Sequence, residues 1–205
     1  MIELKDTYKT IEGTAEGLFK DKGSKFIAYA YPIYDQSEVK PIIDVLKKEH
    51  YSARHHCYAY RLGVEGDEFR ANDDGEPSGS AGKPILGQLL SNELSNVLVV
   101  VVRYFGGTLL GVPGLINAYK KSTLDVIDNA QVIEKIVEDL IQVTFDYLVM
   151  NDVMKVIKDE SLKQISSEYD LMCSIVLPIR KTKTNSIVSR FKKIDSVTVE
   201  NVGVL

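Results

Sequence analysis

The chain has 205 residues, 44% of them hydrophobic, which is sufficient for one large or two small folded domains. Its only cysteines, Cys57 and Cys173, are far apart and lack CxxC spacing, which argues against a disulfide framework or a zinc cluster and favours a reducing cytoplasm. The net charge of −4 argues against a protein whose whole surface binds nucleic acid, although local basic patches could still do so.

The N-terminal part of the chain predicts a β-hairpin. Residues 1–10 mix acidic and basic side chains and contain no apolar stretch, so we expect neither a secretion signal nor a membrane span. Strands are predicted for 10–19 and 25–33, which are rich in Phe, Tyr and Ile, and residues 21–23 predict the turn between them.

A helix and a second hairpin follow. Apolar residues recur at helical spacing between 37 and 50, where Ser37 can cap the start of the helix. Residues 54–62 and 68–71 then predict two strands joined by a turn at 65–67.

Two glycine-rich segments bracket a buried strand. The first, NDDGEPSGSAGKP at 72–84, ends at Pro84, which can occupy the first position of a short helix. The aliphatic run 97–102 predicts a strand that is buried on both faces. The second segment, RYFGGTLLGVPG at 103–114, leads into a longer helix that we expect to stop at Asn129.

The C-terminal part predicts a separate small domain. With the N-terminal domain assigned to 1–133, residues 134–205 show the element order βαββαβ, a ferredoxin-like arrangement in which a small sheet carries two helices on one face. The predicted elements are strand 140–145, helix 148–160, strands 164–168 and 171–178, helix 184–193 and strand 196–202. The whole chain therefore predicts an α+β fold in two domains.

The glycine-rich segments predict a shallow anion site. Glycine allows a ligand to approach the backbone and a helix start leaves N–H groups unpaired, so a phosphate or carboxylate could be held between Lys83 and Arg103. The alternative is two tight turns that let helices pack closely on a sheet.

The first segment also carries oxygen ligands. The carboxylates of Asp73, Asp74 and Glu76 could hold a divalent cation such as Mg²⁺, but EF-hand and P-loop spacings are missing, so we expect no metal or other cofactor. The alternative role of these carboxylates is N–H capping and turn formation.

Candidate catalytic residues lie in the first segment and in the strand before it. Ser78 or Ser80 could act as a nucleophile with His55 and a loop carboxylate, although no GxSxG elbow is present. A core histidine satisfied by the backbone is the simpler explanation of His55. Whether the protein is an enzyme stays open at this point, with these catalytic candidates: His55, Asp73, Asp74, Glu76 and Ser78.

A local basic face is predicted near the C-terminus. The apolar residues of the predicted helix 184–193 face the core, so its charged residues face solvent and could contact RNA phosphates. An ordinary solvated helix face explains these charges as well. The six cations of this face are Arg180, Lys181, Lys183, Arg190, Lys192 and Lys193.

Four segments resemble the YigZ/IMPACT family: SKF at 24–26, HHCYAYR at 55–61, DDGEPSGSAGKPIL at 73–86 and VVVRYFGGTLLGVPGLINAY at 100–119. The resemblance implies an N-terminal domain of the ribosomal-protein-S5 domain-2 type and a ferredoxin-like C-terminal domain similar to the last domain of translation elongation factor G. Pro113 stands where the family usually has glycine, which implies a stiffer loop. Together with the loop hydroxyl of Ser80, the motif marks the following ligand- or anion-binding candidates: Lys25, Ser80, Gly82, Lys83, Arg103, Tyr104, Gly106, Gly107 and Gly111.

The resemblance implies a link to translation, because eukaryotic IMPACT members regulate translational control. We therefore expect a cytoplasmic regulatory or binding protein that contacts RNA, the ribosome or a translation factor, and no membrane. The alternative is an enzyme, a hydrolase or transferase, that acts on a small phosphorylated or carboxylated substrate through the two glycine-rich loops.

Overall fold

The computed structural model describes residues 6–204 of the chain. This part folds into two units of mixed α-helix and β-sheet. The larger unit comprises Tyr8–Lys135, and the smaller one comprises Ile136 onward together with the described residues up to Thr7. None of the helices in residues 6–204 combines the length and the apolar character that crossing a bilayer requires.

The larger unit is built on a five-stranded antiparallel sheet with the strand order β2-β3-β6-β4-β5. The first elements of the chain are β1 (Thr7–Ile11), β2 (Ala15–Asp21), β3 (Ser24–Pro32), α1 (Val39–Glu49), β4 (His55–Leu62) and β5 (Glu68–Asn72). They are followed by α2 (Gly82–Ser91), β6 (Val97–Tyr104), α3 (Gly111–Asn129) and β7 (Val132–Ile136).

Helices cover both faces of this sheet. Helices α2 and α3 pack on one face, where Phe26, Val101 and Tyr119 belong to one apolar cluster. Helix α1 packs on the other face, where Leu46 contacts a second cluster that includes Val100. Because β6 lies at the centre and is covered on both sides, all its residues up to Arg103 are buried, as its aliphatic run predicted.

The predicted hairpins are confirmed, but the first predicted strand is divided. Residues 12–14 interrupt the predicted strand and separate β1 from β2, and Gly13 in this segment has a φ of +74°. Strand β1 leaves the main sheet and pairs with β7, which the sequence analysis did not predict. The side chains of β7 alternate between exposed and half-buried, so it lacks the apolar content that marks a buried strand.

Helix α2 begins before the position that the sequence indicated, and helix α1 begins after it. Helix α2 begins at Gly82, so Pro84 is its third residue rather than its first. Ser37 does not cap α1 as predicted. Instead, the Asp35 carboxylate accepts from the Ser37 N–H, and the Glu38 carboxylate accepts from the Asp35 N–H. This capping box lies on a short 3₁₀ turn that precedes α1.

The smaller unit has the element order βαββαβ. A four-stranded antiparallel sheet with the order β11-β8-β10-β9 packs its buried face against two helices. Its elements are β8 (Glu138–Asp146), α4 (Met150–Asp159), β9 (Ser166–Glu168), β10 (Met172–Arg180), α5 (Thr184–Phe191) and β11 (Val197–Val204).

Candidate functional site

The first loop, residues 73–81 between β5 and α2, is organised by the carboxylate of Asp73. One oxygen accepts from the N–H groups of Ala81 and Gly82 at 3.0 and 2.8 Å, and the other accepts from that of Gly79 at 2.8 Å. Burial opposes ionisation, but these three N–H donors outweigh it and lower the pKa of Asp73. The N–H groups at the start of α2 are therefore bonded to a carboxylate of the chain itself.

Asp74 connects the first loop to the start of β4. Its carboxylate accepts from the backbone N–H of His56 at 2.7 Å, and its carbonyl lies 2.8 Å from Nδ1 of His55. Because a carbonyl can only accept, Nδ1 of His55 carries the proton and donates it. In the neutral ring Nε2 is then unprotonated, and it lies 4.0 Å from Oε1 of Glu76.

Glu76 is the centre of a buried polar network. Its Oε1 accepts from Arg103 Nη1 at 2.6 Å and from the Tyr119 hydroxyl at 2.8 Å. The Cys57 Sγ lies 3.0 Å from the Asp73 carbonyl oxygen and 3.2 Å from the Tyr119 hydroxyl oxygen, so its single S–H proton is shared between two acceptors. Burial raises the pKa of both Cys57 and Tyr119. The network fastens the first loop to β4, β6 and α3, with Glu76 and Arg103 each less than 9% exposed.

The second loop, residues 105–110 between β6 and α3, is shaped by backbone contact. A Cβ on Gly106 would lie 1.9 Å from the carbonyl carbon of Gly23, so only glycine allows this approach to the β2–β3 turn. The Gly106 N–H also donates to Ser24 Oγ at 3.1 Å. Phe105 and Leu109 remain exposed, the latter by 81%. Gly107 and Gly111 both have positive φ.

The candidate residues divide between the two faces of the sheet. Arg103 and the first loop lie on the face of α2 and α3, whereas Lys25 and Tyr104 are cross-strand partners on the face of α1, where the Tyr104 hydroxyl bonds His50 Nδ1 at 2.9 Å. Ser80 is buried and donates to the Pro77 carbonyl at 2.6 Å. Ser78 and Lys83 are exposed. The structure therefore brings the first loop to Arg103 but leaves Lys25 on another surface.

The loop carboxylates do not converge on one point. Within residues 6–204, no group of three or more His, Cys, Asp or Glu side chains is placed to hold a metal ion. Asp73, Asp74 and Glu76 each accept hydrogen bonds from a different part of the chain. The expectation that no cofactor binds, with a divalent cation at these residues as the weaker alternative, stays a prediction.

The predicted basic face is partly neutralised. Arg180 forms an ion pair with Asp6 at 2.5 Å and lowers the pKa of that carboxyl to about 2. Arg190 pairs with Asp159 and Glu160 at the end of α4. The lysines of the face are exposed, apart from the half-buried Lys181. The acidic partners lie 30 or more positions away in the sequence, so helical periodicity could not reveal them.

Two members of the buried network were not among the candidates. Tyr119 and Cys57 both lie in segments that carried the family resemblance, GLINAY and HHCYAYR. Their sequence signal was a polar residue at a position where helix or strand periodicity predicts a buried side chain. Such a residue needs a partner, and here the partner is Glu76 or Asp73.

Comparison with known proteins points to one family. The family model for the Impact N-terminal domain matches residues 22–127. An IMPACT family member of Haemophilus influenzae is 32% identical over 160 residues, covering 77% of this chain and 78% of that protein. The IMPACT family member YvyE of Bacillus subtilis is 37% identical over 141 residues, covering 69% of this chain but 65% of that relative's length.

A solved structure resembles nearly the whole chain. It is a crystal structure of a hypothetical protein, 25% identical, with a TM-score of 0.72, and the match covers 97% of this chain and 98% of that one.

Proposed function

The chain belongs to the IMPACT family, and from this premise we propose that it is a translation-associated regulatory protein that acts by binding a partner rather than by chemistry. The link to translation rests on the regulatory role of eukaryotic IMPACT members. The proposed partners are RNA, the ribosome or a translation factor, and the proposed location is the cytoplasm.

The buried network around Glu76 is the observation that supports binding over catalysis. General acid–base chemistry requires a titratable group that can reach substrate. Glu76 is buried against Arg103 and Tyr119, and Asp73 is bonded to three N–H groups. These contacts hold the first loop in one shape, which favours a preorganised recognition surface.

The proposal includes the two domain folds that the family resemblance implies. The sheet order β11-β8-β10-β9 supports a ferredoxin-like smaller unit, because a split βαβ arrangement places the first and third strands side by side in the centre. We assign the larger unit to the ribosomal-protein-S5 domain-2 type. Both assignments favour a partner in the translation machinery.

Two exposed regions are suited to hold that partner. The second loop presents Phe105 and Leu109, and aromatic and apolar side chains of this kind are common anchors in interfaces. The smaller unit presents the exposed lysines Lys183, Lys192 and Lys193, which can contact RNA phosphates. Arg180 and Arg190 contribute less to this surface because acids of the chain already pair with them.

The geometry of His55 supports the enzyme as a second candidate. Nδ1 is held by the Asp74 carbonyl, which directs Nε2 toward Glu76, and the side chain is 23% exposed. In this candidate, Nε2 would accept a proton from a hydroxyl group or a water molecule at a small phosphorylated or carboxylated substrate held by Lys83. A screen of phosphorylated and carboxylated compounds would then find a ligand that stabilises the fold by about 2.7 kcal/mol at 100 times its Kd.

Co-sedimentation with ribosomes at low and high salt tests the proposed function. We expect the wild type to pellet with ribosomes at low salt and to be released by high salt. The variant K183Q/K192Q/K193Q should pellet less, whereas K40Q/K120Q/K158Q, with the same change in charge at exposed lysines elsewhere, should behave as wild type. A folded wild type that binds neither ribosomes nor RNA nor translation factors would rule the function out.

A further inference from the structure

Three cations lie in one row across the larger sheet. Lys20 in β2 is directly opposite Lys25 in β3, and Lys25 is directly opposite Tyr104 in β6. Arg54 directly precedes β4, whose first residue pairs with Arg103, so Arg54 lies at the same end of the sheet as Tyr104. We call Lys20, Lys25 and Arg54 the cationic row.

The row lies on the face of the sheet that α1 covers only in part. Side chains alternate along a strand, and Phe26 and Arg103 face α2 and α3. Their neighbours Lys25 and Tyr104 therefore face the other way, where Tyr104 meets His50 at the end of α1. Adjacent strands are about 4.8 Å apart, so the row extends over roughly 14 Å.

The row has a cost for the fold. Like charges directly opposite each other on neighbouring strands are destabilising, and Lys20 and Lys25 form such a pair. Both are exposed, as is Arg54, and within residues 6–204 no ion pair or side-chain hydrogen bond involves the side chain of any of the three. A bound anion would relieve this repulsion.

Charge is separated along the sheet. The row lies at the end of the sheet where the two glycine-rich loops emerge, and Lys22 in the β2–β3 turn adds another exposed cation there. At the opposite end, Glu65 and Asp67 lie in the β4–β5 turn and Glu68 begins β5. The acids of the first loop are bonded within the protein. A polyanion would therefore be drawn to the loop end.

Aromatic side chains stand beside the cations. The Tyr104 and Tyr29 hydroxyls bond the two ring nitrogens of His50 at 2.9 and 2.8 Å, which fixes both rings on this face. Tyr51, just after α1, is 86% exposed. Cations that follow a backbone, interspersed with aromatic rings on which bases stack, are the features of single-strand recognition.

We propose that the cationic row binds the phosphate backbone of a single-stranded nucleic acid, with Tyr104 and Tyr51 placed to stack its bases. The choice of RNA as the cellular ligand rests on the proposed function. An acidic protein would use the cations but would leave the aromatic rings without a stacking partner, so the nucleic acid is favoured.

Fluorescence anisotropy with a labelled single-stranded 12-mer RNA tests the row. The logarithm of the affinity falls with the logarithm of salt concentration, by about 0.7 for each phosphate contact on a single strand. K20Q/K25Q/R54Q should therefore lose about 2 from this slope. The control K40Q/K120Q/K158Q, with the same loss of charge at exposed lysines, should keep the wild-type slope. A row variant with the wild-type slope overturns the proposal.

Urea unfolding of the single variant K20Q distinguishes a binding role from a structural one. Because K20Q removes the repulsion from Lys25, its midpoint should equal or exceed that of wild type, and a lower midpoint would contradict the argument from repulsion. Equal binding of single-stranded DNA supports the backbone contact. Polyglutamate binding with the same dependence on the row overturns the proposal in favour of an acidic protein.

The oligonucleotide and ribosome experiments can fail separately. Equal binding of single-stranded RNA and DNA through the row, without any association with ribosomes or translation factors, would remove the link to translation and leave the row as a nucleic-acid site. Ribosome association of the wild type, together with an unaltered salt slope in the row variant, would overturn the row as a site and leave the proposed function.

Discussion

The two glycine-rich loops are neighbours at one end of the larger sheet, yet they are held by different means. The first loop is held by side chains: Asp73 bonds three N–H groups and Glu76 forms a buried ion pair with Arg103. The second loop is held by backbone, because Gly106 lies directly against Gly23. Of its large side chains, Phe105 and Leu109 are exposed, whereas Leu110 packs against the core.

The difference shows that a glycine-rich sequence does not by itself indicate a ligand. In the first loop, the carboxylates occupy the N–H groups that the glycines leave accessible, so the loop supplies its own anion. In the second loop, glycine permits close packing and leaves apolar side chains outside. Substitutions in the two loops should therefore destabilise the protein for different reasons and by different amounts.

The largest effect is expected from Glu76→Ala in the first loop. This change leaves the Arg103 guanidinium buried without its carboxylate, and breaking a buried ion pair in this way costs about 3–5 kcal/mol. Urea unfolding at pH 7 measures the loss. The exposed Glu68→Ala is the control and should change stability by less than about 0.5 kcal/mol. A loss below 1 kcal/mol in Glu76→Ala would show that the network does not fix this loop.

The next largest effect is expected from Gly106→Ala in the second loop. The added Cβ would overlap the backbone of the β2–β3 turn, and overpacking of this kind costs about 1–3 kcal/mol. Gly87→Ala in α2 is the matched control of opposite sign: a Cβ there meets nothing within 4 Å, and alanine should stabilise the helix by about 0.8–1.0 kcal/mol. Equal destabilisation by both changes would contradict the packing argument.

The smallest of the three effects is expected from Asp73→Ala, and it should depend on pH. Loss of a capping side chain costs about 0.5–2 kcal/mol at neutral pH. Because the folded pKa of Asp73 is lowered, the stability it contributes is complete above its unfolded pKa of about 3.9 and is lost as pH falls through the folded value. The unfolding free energies of wild type and variant should converge over that range. A constant difference down to pH 2 would exclude the charged cap.

Much of the larger fold follows from local sequence. The aliphatic run of β6, the β2–β3 turn and the stripe of α1 each carry their own signal, and the structure confirms all three. The pairing of β1 with β7 could not be predicted, because it depends on contacts between distant parts of the chain rather than on alternation within either strand.

The candidate site was located by sequence, but its contacts were not. The family motif contains Glu76, Arg103 and Asp73, and no local rule reveals that Glu76 pairs with Arg103, 27 positions away, or with Tyr119, 43 positions away. The opposite faces of Lys25 and Arg103 follow from strand alternation only once the register of β3 and β6 is known. Their roles in binding stay predictions.

The positions of the two cysteines have a practical consequence. Cys57 lies buried in the larger unit and Cys173 lies buried in the smaller one. An exposed thiolate attacks an electrophilic thiol reagent, so each buried cysteine can be labelled only when the unit around it opens. The labelling rate of each cysteine therefore measures the opening rate of its own unit. Mass spectrometry of the labelled peptides would report the two opening rates from a single sample, without introducing any foreign group into the sequence.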